Sequence, residues 1–378
     1  MVRILVDDVI NLLQELVKIP SVCGDEAKIA KFVGDWMKQN GLPVRTLEAR
    51  PNRPDVITVL KGSKPGPHLM LNGHMDTVEV GRDWTRNPFD GAIEDDRMYG
   101  RGTYDMKSGL ACMLWAVAAC REEGLPKRGE LIVAAVVDEE AIDWGTYALI
   151  QQGFTKNVDF ALVAESTDLK LVTAHKGRVV LDIEVQGRTA HSRHPSRGVN
   201  AIDRAAQLLA ALPRITDPVH AIFGRSTVNT LRIEGGQDQV MLVPDRCRLL
   251  IEKCLVPGYS SQQALEDTRQ LIQDLNIQAL ANFVERSTPF CDPFEISTTN
   301  PYVKLVANIA HKVLGREPDI SFHEGPCDSC LLVNQGKVPT LEFGPTGGRL
   351  HEPDEYVEVE SVKKTAEVYL ELLRQTFS

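Results

Sequence analysis

Residues 131–140 read Leu131-Ile132-Val133-Ala134-Ala135-Val136-Val137-Asp138-Glu139-Glu140. Seven apolar residues in a row, four of them β-branched, suit a strand buried on both faces. Such a strand needs helices above and below it, which predicts an α/β layer with a largely parallel sheet. The run then stops abruptly on three acids. In open α/β sheets, sites form beyond the carboxyl ends of the strands, so this edge is the place to look for chemistry.

The flanking sequence repeats the pattern. Strand-like runs lie at Asp55–Leu60, His68–Leu71 and Val158–Ala164. Helical segments alternate with them. One is expected after an Asp25 cap, with Ile29, Phe32, Val33 and Trp36 on one face and Asn40-Gly41 as the stop. A second is expected from a Ser108 cap to Glu123, stopped by Gly124, and a third opens at Asp143 and ends at Gly153.

The pattern changes near His175. Arg178–Gln186 alternates as a half-solvated strand does, and a helix is expected over Val199–Leu212. Strands Thr227–Glu234 and Arg246–Cys254, a helix over Ser261–Leu275 and a strand over Gln278–Glu285 complete the series. That β-α-β-β-α-β order is that of a ferredoxin-like α+β domain. After Pro289 the first pattern resumes, with helix Pro301–Leu314, strand Pro339–Phe343 and helix Ser361–Phe377. The expected organisation is one α/β domain in two parts, 1–174 and 289–378, with a second domain, 175–288, inserted into it.

Composition agrees with a globular chain of two domains. The 378 residues are 43% hydrophobic and 25% charged, which excludes disordered, collagen-like and coiled-coil classes. A net charge of −10 leaves no basic footprint for nucleic acid. The longest apolar run, Leu110–Cys120, falls short of the roughly 20 residues a spanning helix needs, so no membrane is expected. Asp7 and Asp8 break the first apolar stretch, which argues against a signal peptide. Eight cysteines are scattered, several in apolar runs, and are expected as reduced thiols of a cytoplasmic protein. Cys327 and Cys330 form a lone CxxC, read as structural rather than redox or metal-binding.

Four acid- or histidine-bearing segments share one placement. Strand His68–Leu71 runs into His74 and Asp76, Leu131–Val137 into Glu139 and Glu140, and Val158–Ala164 into Glu165, while Asp105 precedes the Ser108 helix. Singly, each has an ordinary reading as a loop residue or as an acid near a helix N-terminus. Together they crowd one sheet edge, where carboxylates repel one another unless a cation compensates. Histidine with several carboxylates is the donor set of a borderline divalent metal such as zinc. Asp76, two residues after His74, can accept the second ring N–H of that histidine and so fix its tautomer. Adjacent Glu139 and Glu140 point different ways, so one can bind metal while the other stays free as a base. Gly100-Arg101-Gly102 begins like a dinucleotide loop but has Asp105 where the third glycine belongs. No P-loop, HExxH or nucleophile-elbow motif occurs.

These residues resemble the M20 metallopeptidase and amidohydrolase family, which includes acetylornithine deacetylase, succinyl-diaminopimelate desuccinylase, aminoacylase-1 and glutamate carboxypeptidase. The resemblance covers nearly the whole chain. It rests on Gly73-His74-Met75-Asp76-Thr77-Val78, Tyr99-Gly100-Arg101-Gly102 through Asp105-Met106-Lys107, Asp138-Glu139-Glu140, Glu165-Ser166-Thr167, Ala190-His191-Ser192 and His351-Glu352-Pro353-Asp354-Glu355. It implies two zinc ions, with cobalt or manganese as alternatives. His74 and Glu165 would hold one, Glu140 and His351 the other, and Asp105 would bridge them, followed by a peptide bond that is often cis. Asp76 would buttress His74, Glu139 would be the general base, and His191 would stabilise the oxyanion, usually in the site of a partner subunit. The resemblance makes the two-part α/β domain the catalytic domain and implies that the inserted 175–288 is a lid and dimerisation domain, with a homodimer formed through it.

The sequence departs from the family in one respect. Members commonly grip a substrate carboxylate with an Asn and an Arg of the inserted domain. Aligned on Pro244, Met241 and Cys254 stand there, and neither makes charge-assisted bonds. Lys253 is adjacent but faces the other way on a strand. Arg349 is an alternative grip, and Cys327 stands where a smaller residue is common. The leading expectation is deacylation of an N-acyl amino acid. A carboxypeptidase or dipeptidase with the same machinery is the runner-up. A catalytically silent relative is disfavoured, because it has no need of a free base beside a full ligand set.

Overall fold

The computed structural model describes residues 5–237 and 241–378. The chain forms two units, the first running to Thr173 and including Ile296–Phe322 and Cys327–Ser378, the second Ala174–Glu295 with His323–Pro326. The insertion therefore ends at Glu295 rather than at 288. Phe294 and Glu295 pair antiparallel with His175 and Ala174, so the insertion begins and ends at one strand pair.

In the first unit a sheet runs in the order Arg45–Arg50, Arg53–Lys61, Arg128–Val136, Lys64–His74, Phe160–Val163, Thr340–Glu342 and Leu171–His175. The four strands from Arg128–Val136 to Thr340–Glu342 are parallel, and the flanking pairs are antiparallel. Leu131, Val133 and Ala135 enter one core, and Ile132, Ala134 and Val136 enter another on the opposite face. That alternation is the period of two of a strand buried on both sides. The first core surrounds helix Ser108–Glu122, which is buried from Ser108 to Cys120, as a helix apolar all round must be. Gly109 permits its approach to the sheet, since a Cβ there would lie 1.7 Å from the Ala164 carbonyl oxygen. A smaller sheet joins Gly347–Gly348, Tyr356–Glu358, Arg97–Tyr99 and Ile93–Glu94.

Two expected caps fail. Helix Ala27–Gln39 starts after Glu26, not Asp25, and the Glu26 carboxylate turns to Arg53 at 2.5 Å. Ser108 lies inside its helix, because the π-type turn Thr103–Lys107 feeds it directly. Strand Arg45–Arg50, helix Asp328–Asn334 and the smaller sheet add to the elements the sequence pattern predicts.

The second unit is an antiparallel sheet in the order Thr227–Gly235, Arg246–Leu255, Gly177–Gln186, Ala279–Phe283. In chain order that is 2-3-1-4, a ferredoxin-like arrangement. Helices Ala201–Ala211 and Ser261–Asp274 are capped by the side chains of Asn200 and Ser260. Residues of both pack with Val179, Leu181, Ile183 and Val185 in one core. The alternate face carries cross-strand ion pairs Arg178–Glu252, Asp182–Arg248 and Glu184–Arg246. Among the described residues, no helix is long and apolar enough to cross a membrane.

Candidate metal centre

Three adjacent parallel strands deliver the site. His74 ends strand Lys64–His74, Glu139 and Glu140 follow Arg128–Val136, and Glu165 follows Phe160–Val163. Asp138, in a left-handed conformation (φ 71°), turns the chain so that the two glutamates leave the sheet edge. Asp105 sits in the Thr103–Lys107 turn, and the Asp105–Met106 peptide is cis. His351 enters from a loop after Gly347–Gly348.

Asp105 faces both histidines with separate oxygens. Its Oδ1 lies 3.1 Å from His74 Nε2, and its Oδ2 lies 3.0 Å from His351 Nε2. Glu165 Oε1 is 3.7 Å and Glu139 Oε2 3.8 Å from His74 Nε2. Glu140 Oε2 is 3.3 Å from His351 Nε2. Its other oxygen is buried without a partner. The first unit thus brings together His74, Asp105, Glu139, Glu140, Glu165 and His351.

Asp76 acts differently from the expectation. His74 Nδ1 lies 3.0 Å from the Asp76 backbone carbonyl and 3.6 Å from its carboxylate. The carbonyl accepts the Nδ1 proton, which turns Nε2 toward the acids as the nitrogen a metal would take. The Asp76 carboxylate instead accepts the backbone N–H groups of Glu139 and Glu140, at 3.3 and 3.1 Å.

The electrostatics are those of a cation site. Burial pushes the Glu139 carboxyl well above the usual range, and burial with the Asp105 charge does the same to Glu165. Burial opposes a charged His74, yet Glu139, Asp105 and Glu165 outweigh it and raise that imidazole. Hydrogen bonds that His351 donates to Asp105 and Glu140 raise its imidazole to about 10. Burial opposes charge on Asp105 too, but the two histidines hold it well below its ordinary value. Four carboxylates facing two imidazoles, with the orphaned Glu140 oxygen, fit divalent cations held by nitrogen and oxygen donors.

Several supporting residues had little signal in the sequence. Glu355 is fully buried and binds Arg101 and the backbone that carries Asp105. Arg53 pairs with Glu26 and Asp138 and pins the turn before Glu139. Asp328 is buried, and burial lifts it to about 7. Cys23, Cys112, Cys120, Cys247, Cys254 and Cys327 are free thiols, and Cys327 Sγ donates to Glu342 Oε1 at 2.9 Å. In the second unit, His191 bridges antiparallel to Leu242, beside the half-exposed Met241. Cys254 stands directly opposite Arg178, whose guanidinium binds Glu252 at 2.6 Å.

A sequence profile described as peptidase family M20/M25/M40 matches residues 70–375. Succinyl-diaminopimelate desuccinylase of Ehrlichia ruminantium (strain Welgevonden) is 25% identical over 389 residues, covering 99% of each chain. The crystal structure of aminopeptidase PepT from Bacillus cereus superposes with a TM-score of 0.80 at 23% identity, covering 100% of both chains. The YXEP protein of Bacillus subtilis, titled a dinuclear metal binding peptidase, gives 0.73 at 16% identity, over 98% of each chain. These likenesses to solved structures establish the fold.

Proposed function

Because the chain belongs to peptidase family M20/M25/M40 and is a metal-dependent hydrolase of amide bonds, we propose that it removes the acyl group from N-acyl amino acids with a two-metal centre. His74 and Glu165 would hold one divalent ion and Glu140 and His351 the other, with Asp105 within reach of both. The observation that carries this reading is the division of Asp105, one oxygen toward each histidine. Zinc suits the donor set best, and cobalt and manganese suit it too.

Bound divalent ions supply Lewis acidity toward the amide carbonyl and make a water nucleophilic at neutral pH. The chain's own groups do the rest. Glu139, beside the ligands and lifted by burial, takes the proton of the attacking water and returns it to the leaving amine. The Asp76 carboxylate keeps the Glu139–Glu140 turn in register through its two backbone bonds. His191 supplies a donor to the developing oxyanion. The free base beside the ligands argues against a silent relative. A homodimer through the inserted domain is supported by the edge strand Thr227–Gly235, which exposes Val228, Leu231 and Ile233. The free thiols of Cys23, Cys112, Cys120, Cys247, Cys254 and Cys327 support a cytoplasmic location.

A carboxypeptidase or dipeptidase with the same centre is the second reading, supported by the match to a profile described as a peptidase family. The test is amine release from N-acetyl, N-formyl and N-succinyl amino acids, simple dipeptides and amides without a free carboxylate, with Glu139→Ala as the blank. Turnover of N-acyl amino acids is expected. Turnover confined to dipeptides favours the second reading, and turnover confined to carboxylate-free amides contradicts both.

A further inference from the structure

Glu355 has no place among the ligands, yet it binds the segment that carries one. Its Oε1 accepts the backbone N–H groups of Tyr104 and Asp105, at 2.8 and 3.0 Å. Its Oε2 accepts Arg101 Nη1 at 2.7 Å and the Gly102 N–H at 3.0 Å. Its own carbonyl accepts the Gly100 N–H at 3.0 Å. Both Glu355 and Arg101 are buried, with side-chain exposures of 0% and 2%. Removing one partner of such a pair leaves a buried charge uncompensated.

The position of Glu355 in the chain gives these bonds a consequence. It lies four residues after His351, on the segment that brings His351 to Asp105. One carboxylate therefore ties the loop of the shared ligand to the loop of a terminal ligand. Gly102 makes the tie possible: its φ is 84°, and a Cβ there would lie 2.8 Å from Thr77 Cγ2. A carboxylate that receives several backbone N–H groups is pre-organised, because those donors cannot rotate away as side chains can.

We propose that Glu355, supported by Arg101, is a positioning residue that fixes Asp105 relative to His351 and so sets the affinity of the second metal ion. This rests on the two-metal reading above. Glu355 touches neither substrate nor ion, so its effect reaches the reaction through the ligands it holds.

The test is cobalt titration of chelated wild-type and Glu355→Gln protein. Stoichiometry is followed by calorimetry, and the coupling between paired cobalt ions by electron paramagnetic resonance. Glutamine offers one amide group to donors on both sides, so one set of bonds must fail. Loss of such supporting bonds typically weakens metal binding about 10–100-fold. The expected result is a folded variant with the first cobalt bound as in the wild type, the second weakened by that factor, and the coupling signal lost. A purely structural role would lower the melting temperature and leave the coupling intact. Arg101→Lys is the milder variant, keeping the charge and the three backbone donors, and a several-fold weakening of the second ion is expected. Wild-type binding of the second cobalt by both variants overturns the proposal, as does wild-type binding by Arg101→Lys where Glu355→Gln does not fold. Wild-type protein that takes up fewer than two ions overturns the two-metal reading, and the proposal with it.

Discussion

The carboxylate of Asp76 accepts the backbone N–H of Glu140 at 3.1 Å, and the next N–H back, that of Glu139, at 3.3 Å. One residue thereby holds three parts of the site. Its carbonyl orients His74, and its side chain fixes the turn that carries a ligand and the base. Asp76→Ala leaves those amides without their acceptor. Metal affinity and kcat are both expected to fall about 10–100-fold. Metal binding measured by calorimetry, beside kcat, checks this. A variant that loses only kcat would mean that Asp76 does not hold the ligand turn.

Glu139 should separate chemistry from binding. Glu139→Gln keeps the shape of the side chain and removes the base. A fall in kcat of about 10²–10⁴ is expected, the typical worth of general acid–base catalysis, with two ions still bound. Metal content measured beside kcat checks it. Loss of an ion with the activity would make Glu139 a ligand.

His191 is tested in the same way. His191→Ala is expected to lower kcat about 10²–10³-fold, as removal of an oxyanion donor does, at unchanged metal content. Steady-state kinetics on the metal-loaded variant reads it out. An unchanged kcat removes His191 from the mechanism.

The histidine and carboxylate shifts fix the sign of a pH effect. Without metal, Asp105 and Glu140 raise His351 to about 10. A raised histidine stabilises the metal-free fold fully below its unfolded pKa of about 6.5, and that contribution is lost as pH climbs through the folded value. Glu165, also raised, acts in the same direction: its protonated form is favoured by the fold, and that advantage fades with rising pH. Metal ligation needs both groups deprotonated, so the ion displaces their protons. The rise in melting temperature on adding zinc should therefore grow between about pH 6.5 and about pH 9. Scanning calorimetry with and without the ion checks it. A shift that shrinks over that window would contradict the ligand assignment.

Much of this molecule is local in the sequence. Leu131–Val137 reads as a doubly buried strand because seven apolar residues leave no solvent face, and the acids after it mark the sheet edge. The inserted sheet is legible for the same reason, since Arg178–Gln186 alternates and its neighbours repeat at strand length. What fails is what depends on distant partners. Asp25 is a plausible cap by type, but Glu26 takes the position because Arg53 draws its carboxylate inward. Glu355 binds the Asp105 loop across 250 residues, and no spacing rule registers such a bond. Asp76 lies near enough to His74 to suggest a buttress. Choosing its carbonyl over its carboxylate requires the Glu139–Glu140 turn, which approaches only when strands Lys64–His74 and Arg128–Val136 pair.

The measurement that bears most directly on the central claim is restoration of activity by metal. The chain is stripped with a chelator, and zinc or cobalt is returned in measured amounts while amine release from an N-acyl amino acid is followed. The account predicts negligible turnover in the stripped protein and recovery that is complete at two ions per chain. Turnover that survives chelation, or full activity with no ion bound, would contradict it.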